Sequence, residues 1–426
     1  MVRIFNYGEV PNEQIFARRG SAADVEGVVA EIVAEVIRRG DAALYAYTKK
    51  FDGVELDSLE VSETEFDEAL ASVEPEFMDI LREAADNIRA YHEKQVRRDF
   101  IMSERDGVLL GQKITPIEKV GLYVPNGTAA YPSTVLMDSI PAKIAGCSEL
   151  VMVTPPSKDG RVDAYILAAA RVAGIDRVFK VGGAQAIAAL AYGTESIPAV
   201  YKIVGPGNAY VAEAKKQVFG RVAIDVVAGP SEVLALADDS GDARIVAADL
   251  LSQAEHDVMS TAVLVTDSRA FAEKVAAEID RQLPLLPRYE IAKASIENNG
   301  MIIVVENLEL AVEVANEIAP EHLELCVDEP FAWLDKIKNA GSIFLGKNCP
   351  EALGDYMAGP NHTLPTGGIA KFASPLSVDD FVKKSQFTYY TGEALSRIAE
   401  KIAAFARKEG LEGHARSVLS RFEDLP

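Results

Sequence analysis

Arg177-Val178-Phe179-Lys180-Val181-Gly182-Gly183-Ala184-Gln185-Ala186-Ile187-Ala188-Ala189-Leu190-Ala191 reads as a short apolar strand, a glycine turn and a helix. The strand covers 177–181 and the helix 184–191. Similar strands are expected over 119–124, 149–153, 200–204, 232–236, 262–265 and 301–304. Helical patterns over 210–218, 243–256 and 308–318 separate several of them. Short apolar strands alternating with helices imply mainly parallel sheets covered on both faces. The strands are too many for one small sheet, so two α/β units are expected.

Outward from this region the pattern changes. Ser21 can cap a helix through Val25, Val28, Val29, Ile32, Val33 and Val36 that stops near Gly40. Ser62 and Glu65 form a capping box, and a long amphipathic helix is expected over 76–94. After Ser374 a polar stretch leads into a helix over 394–408, which reads as a separate C-terminal tail.

A formal charge of −22 argues against a nucleic-acid partner, which would need lysine and arginine gathered on one face. Met1-Val-Arg-Ile-Phe-Asn-Tyr-Gly-Glu lacks the apolar core of a signal peptide, and no apolar run nears the ~20 residues that span a bilayer. Cys147, Cys326 and Cys349 have no CxxC spacing, which speaks against a disulfide framework or a thiolate zinc site. A cytoplasmic protein is expected.

Five histidines frame the chemistry: His92, His256, His322, His362 and His414. His92, in the long amphipathic helix, reads as structural or solvated. Gln253 and His256 lie three apart at a helix end and share one face, as metal ligands or as a solvated terminus. In Ala319-Pro320-Glu321-His322 the proline ends a helix. Glu321 and His322 are a pair of candidate bases that can share one site only if the backbone turns there; the alternative is a helix-terminating loop with two exposed charges. The stretch 354–368 holds four glycines and two prolines, reads as a loop, and presents Asp355, Asn361 and His362. His414 lies between glycine-flanked tail residues and by itself carries no role. The turns Gly182-Gly183, Gly205-Pro206-Gly207-Asn208 and Gly229-Pro230-Ser231 suit either close ligand approach or tight packing.

Taken together, GLYVPNGTAAYPSTVLM, VGGAQAIAALAYGT, KIVGPGNAYVAEAKK, DVVAGPSEVL, LLSQAEHDV, APEHLEL, GDYMAGPNHTLPTGG and EGLEGHA closely resemble the histidinol dehydrogenase family, in its order. The resemblance implies a zinc site from Gln253, His256, Asp355 and His414, and a catalytic pair of Glu321 and His322. It implies substrate contacts from Ser231, His362 and Glu409 with His322 and the zinc ligands, and NAD contacts from Tyr123, Gln185 and Asn208. L-histidinol would be oxidised through its aldehyde to L-histidine, with two NAD reduced.

The resemblance further implies a homodimer whose tail completes the partner's site. The expected fold is two Rossmann-like α/β domains with a small N-terminal helical segment and a C-terminal tail. The expected division is an arm over 1–26, one α/β domain over 27–122 and 232–374, an NAD-binding domain over 123–231, and the tail over 375–426. Rival readings are a relative acting on another small polyol or hydroxy acid, a zinc hydrolase, and a non-catalytic binding module.

Overall fold

The structure is a computed structural model that describes residues 2–11, 15, 25–126, 130–175, 177–227 and 229–422. Ser21 lies outside them. In chain order the first strands are β1 (Arg3–Asn6), β2 (Phe100–Met102), β3 (Val108–Pro116), β4 (Lys119–Tyr123), β5 (Glu149–Thr154), β6 (Arg177–Lys180), β7 (Lys202–Val204) and β8 (Ala223–Ile224). They are followed by β9 (Glu232–Ala237), β10 (Thr261–Thr266), β11 (Met301–Val304), β12 (His322–Cys326), β13 (Ser342–Leu345) and β14 (Val382–Tyr390).

One sheet has the order β6-β5-β4-β7-β8 and another β1-β11-β10-β9-β12-β13. Every pairing in both is parallel. Renumbered from its own first strand, each series (β4 to β8, β9 to β13) runs 3-2-1-4-5, with β1 added at the edge of the second. The mixed α/β fold with mainly parallel sheets is as the alternation implied. In such doubly wound sheets a crevice opens at the carboxyl edge where the order reverses, here between β4 and β7 and between β9 and β12.

The strands are apolar because both faces are covered. Phe66, Leu81 and Ile88 pack with Leu136, Ile140 and Ile166 on one side of the five-stranded sheet. Val29, Ile32 and Leu44 pack with Ile187, Leu190 and Val211 on the other. The helices Glu26–Arg39, Asp41–Phe51, Glu63–Ser72 and Pro75–His92 are therefore built onto this sheet. Their apolar faces are what place them there. The capping box forms: Ser62 Oγ accepts from Glu65 N at 3.2 Å, and Glu65 Oε2 accepts from Ser62 N at 2.9 Å.

Residues Val96–Pro116 together with the chain from Val382 form a second compact unit. In it β14 runs antiparallel along all of β3, from Val382 opposite Pro116 to Tyr390 opposite Val108, while β2 pairs with β3's other edge. Helices Ala399–Lys408 and Glu412–Leu419 follow, joined by buried Ala403, Ala406 and Ala415. The expected tail thus begins with a strand that completes a sheet, and the expected 394–408 helix is broken around Arg397-Ile398. Among the described residues no helix is long and apolar enough to cross a membrane.

Candidate active site

The helix Ala243–Ala254 carries buried Gln253 in its last turn, and half-buried His256 follows three residues on. A second short helix, Glu351–Tyr356, carries Glu351 and Asp355 four residues apart and hence on one face. Asp355 was expected in a loop; Pro350 sets up a helix start just before it, and the glycines that argued against a helix come mainly after Tyr356. Ligand atoms of His256, Glu351 and Asp355 all lie within 4.8 Å of one another. Assigned from the acceptors around it, the Gln253 amide turns Nε2 toward them, 3.1 Å from Glu351 Oε1 and 3.3 Å from the Glu232 carbonyl, as a donor to both.

Beside this cluster the chain turns at Ala319, whose φ of 50° is left-handed, and then at Pro320. Glu321 sits in the bend and His322 opens β12, so the turn that the pair needs is present. Gly341 makes room for it, since a Cβ there would lie 2.5 Å from the Glu321 carbonyl oxygen. One residue, Glu232 at the start of β9, anchors both side chains. Its N–H donates to Glu321 Oε2 at 2.8 Å, and its carbonyl accepts from His322 Nδ1 at 3.0 Å. Bonding at Nδ1 leaves Nε2 as the lone-pair nitrogen. Nε2 is buried and has no hydrogen-bond partner among the described residues.

Burial dominates the acid–base balance here. It draws His322 down to about 4, against the pull of Asp355 and of its bond to Glu232. It pushes Glu321 and Glu351 well above the usual carboxylate range. Asp355 goes the other way: burial would raise it, but His362, with His322 and His256, outweighs burial and lowers it. Burial would lower His362 in turn, yet Asp355 holds it raised, with Nδ1 3.6 Å from Oδ1.

His362 Nε2 lies 3.3 Å from Thr134 Oγ1 on the helix Pro132–Ala145. On the same helix, Met137 O accepts from Asn361 Nδ2 at 2.7 Å and Asp138 Oδ1 from Thr363 Oγ1 at 2.7 Å. A cavity of about 110 Å³ is lined by His322, Phe344, Leu353, Asp355, Asn361 and His362. The catalytic candidates therefore stand at the amino ends of β9 and β12, and the segment 361–363 joins them to the helix that follows β4.

The remaining expected positions divide. Half-buried Ser231 immediately precedes β9. Tyr123 ends β4 and its hydroxyl accepts from Gly183 N at 3.1 Å; burial pushes it up to about 12. Gln185 is buried one turn into the helix after β6, and Asn208 caps the helix after β7, accepting from Tyr210 N and Val211 N. All three lie at the carboxyl edge of the five-stranded sheet. Glu409 and His414 belong to the second unit, where both are exposed. His92 is structural: Nδ1 bonds the Ile88 carbonyl at 2.8 Å, inside the core. Sequence reasoning missed Glu232, Asp138 and Glu351. Only Glu351 left a signal, its four-residue spacing to Asp355.

A doubly wound α/β scaffold, an imidazole with one nitrogen tethered and the other bare, and an imidazole–carboxylate cage define an enzyme built for acid–base chemistry beside a cation. The family model for histidinol dehydrogenase matches residues 17–422. A histidinol dehydrogenase of Bacillus cereus is 55% identical over 410 residues, covering 95% of each chain. One of Geobacillus kaustophilus is 56% identical, covering 93% of each. The crystal structure of histidinol dehydrogenase from Elizabethkingia anophelis superposes with a TM-score of 0.94 at 38% identity, covering 99% of this chain and 98% of that one. The chain belongs to the histidinol dehydrogenase family and is an oxidoreductase.

Proposed function

We propose that this chain oxidises L-histidinol through bound histidinaldehyde to L-histidine, with one zinc ion per subunit and reduction of two NAD. The observation that carries the reading is His322: Nδ1 tied to Glu232 and Nε2 buried without a partner, beside a cage of ligand atoms. A buried nitrogen left bare is expensive unless it meets a substrate.

The donors fit zinc. An imidazole nitrogen, carboxylate oxygens and an amide oxygen suit a divalent ion of that kind, and a buried excess of acidic groups favours a cation. Gln253, His256 and Asp355 would hold it, with His414 from the tail of a second copy. For NAD, the carboxyl edge of the five-stranded sheet has the reversal point that dinucleotides use, with Tyr123, Gln185 and Asn208 around it. When bound, zinc would anchor the amine and imidazole of the substrate, and NAD would take up hydride at each oxidation.

The residues do the rest. His322, neutral, accepts the alcohol proton at Nε2. Glu321, whose buried carboxylate is a stronger base than an exposed one, draws a proton from the water that hydrates the aldehyde. Ser231, His362 and Glu409 of a second copy hold the substrate, and the enclosed site retains the aldehyde between steps. The protein would work in the cytoplasm as a homodimer with shared sites. The deciding measurement is NADH formed per histidinol consumed. Two is expected; one would limit the enzyme to alcohol oxidation.

A further inference from the structure

We infer that Glu351 is a positioning residue for the metal: its carboxylate takes the Gln253 amide nitrogen and so leaves the amide oxygen to the ion. This deepens the zinc reading above and rests on it.

An uncharged amide has two ends of equal reach, and a metal needs only one of them. Turned the other way, the Gln253 oxygen would face two acceptors, Glu351 Oε1 and the Glu232 carbonyl, with nothing between them to bond. The carbonyl already accepts from His322 Nδ1, so the side-chain acceptor for the amide is Glu351. The nearby acids are committed elsewhere: Asp355 faces His362, and Glu321 accepts from Glu232 N.

Glu351 is itself held. It is 2% exposed, its N–H donates to Glu324 Oε1 at 2.8 Å, and the helix it begins carries Asp355 on the same face. Oε1 also lies 3.9 Å from His322 Nδ1, so the same carboxylate borders the His322 ring. Partners that orient a ligand in this way typically change metal affinity by ~10–100-fold when removed.

The test is zinc titration of chelator-stripped protein in competition with a chromogenic chelator, read as affinity and without reference to turnover. E351A should bind zinc ~10–100-fold more weakly than the unchanged protein. E351Q keeps an oxygen acceptor for the amide and should recover most of the affinity. Because the effect runs through Gln253, adding E351A to Q253A should cost less than about threefold more.

E351A within about threefold of the unchanged protein, or a full further loss in the Q253A background, overturns the inference. So does E351Q binding as weakly as E351A. Should E351A not fold by circular dichroism, the comparison of E351Q with Q253A decides: E351Q as weak as Q253A overturns the role, and near-normal affinity supports it. An unchanged protein that takes up no zinc would overturn the metal reading itself. A loss in Q253A without one in E351A sinks only the role of Glu351.

Discussion

His322 donates from Nδ1 to the main-chain carbonyl of Glu232, 3.0 Å away, and this bond decides which imidazole nitrogen is left for chemistry. A histidine free to choose its tautomer would present the wrong nitrogen part of the time. Here the backbone makes the choice.

Replacing that base is the first prediction. His322→Ala should slow alcohol and aldehyde oxidation alike, by ~10²–10⁴-fold, as loss of a positioned proton acceptor does. Single-turnover rates started from histidinol and from histidinaldehyde measure both stages. Loss confined to one of them would contradict the role.

Glu321→Gln separates the stages. The glutamine can still accept from Glu232 N through its amide oxygen, so the local structure should survive. Without a carboxylate to activate water, aldehyde oxidation should fall by ~10²-fold or more while alcohol oxidation falls less. Aldehyde accumulation in a stopped reaction is the readout, and equal losses would remove Glu321 from the hydration step.

Shared sites make a third expectation. Subunits carrying His414→Ala and subunits carrying Glu321→Ala, each inactive alone, should regain part of the activity when mixed. One of the two sites in such a dimer draws both intact residues. Verified mixed dimers without activity would mean that each chain's tail serves its own site.

Asp138 gives a dependence on pH. Burial raises its carboxyl from 3.8 to about 7 in the folded protein, although Thr363 bonds it. Between those values the folded chain holds a proton that the unfolded chain has released, so this group's stabilisation is complete below the lower value and fades as pH rises toward the upper. Asp138→Asn keeps an acceptor for Thr363 and has no such proton. Between about pH 5.5 and pH 8 the variant should lose less stability than the unchanged protein, by about 2 kcal/mol, in urea unfolding. Equal losses would show that Asp138 does not titrate in that range.

The parallel strands were legible because burial on both faces makes them nearly all apolar, as in Leu150 to Val153 of β5. β14 was not: Val382-Lys-Lys-Ser-Gln-Phe-Thr-Tyr-Tyr is exposed along almost its whole length, so no apolar face marks it. β1 is four residues long and takes its geometry from β11, far along the chain. In the site, the three-residue step from Gln253 to His256 was visible as a shared helix face. Glu351 was hidden because glycine and proline just beyond it made the region read as a loop. The use of Glu232's backbone had no sequence signal, since main-chain atoms are the same in every residue.

The pairing of β3 with β14 bears on how the chain is made. All nine residues of β3 find partners in a strand that begins only at Val382. At ~5–20 residues per second, a ribosome needs tens of seconds to deliver β14 after β3 has emerged. Through that interval one edge of β3 stands open, the kind of edge on which unrelated chains stack. The lysines of β14 cannot guard it before they exist. A nascent chain stalled short of Val382 therefore carries an open β3 edge that the finished chain covers.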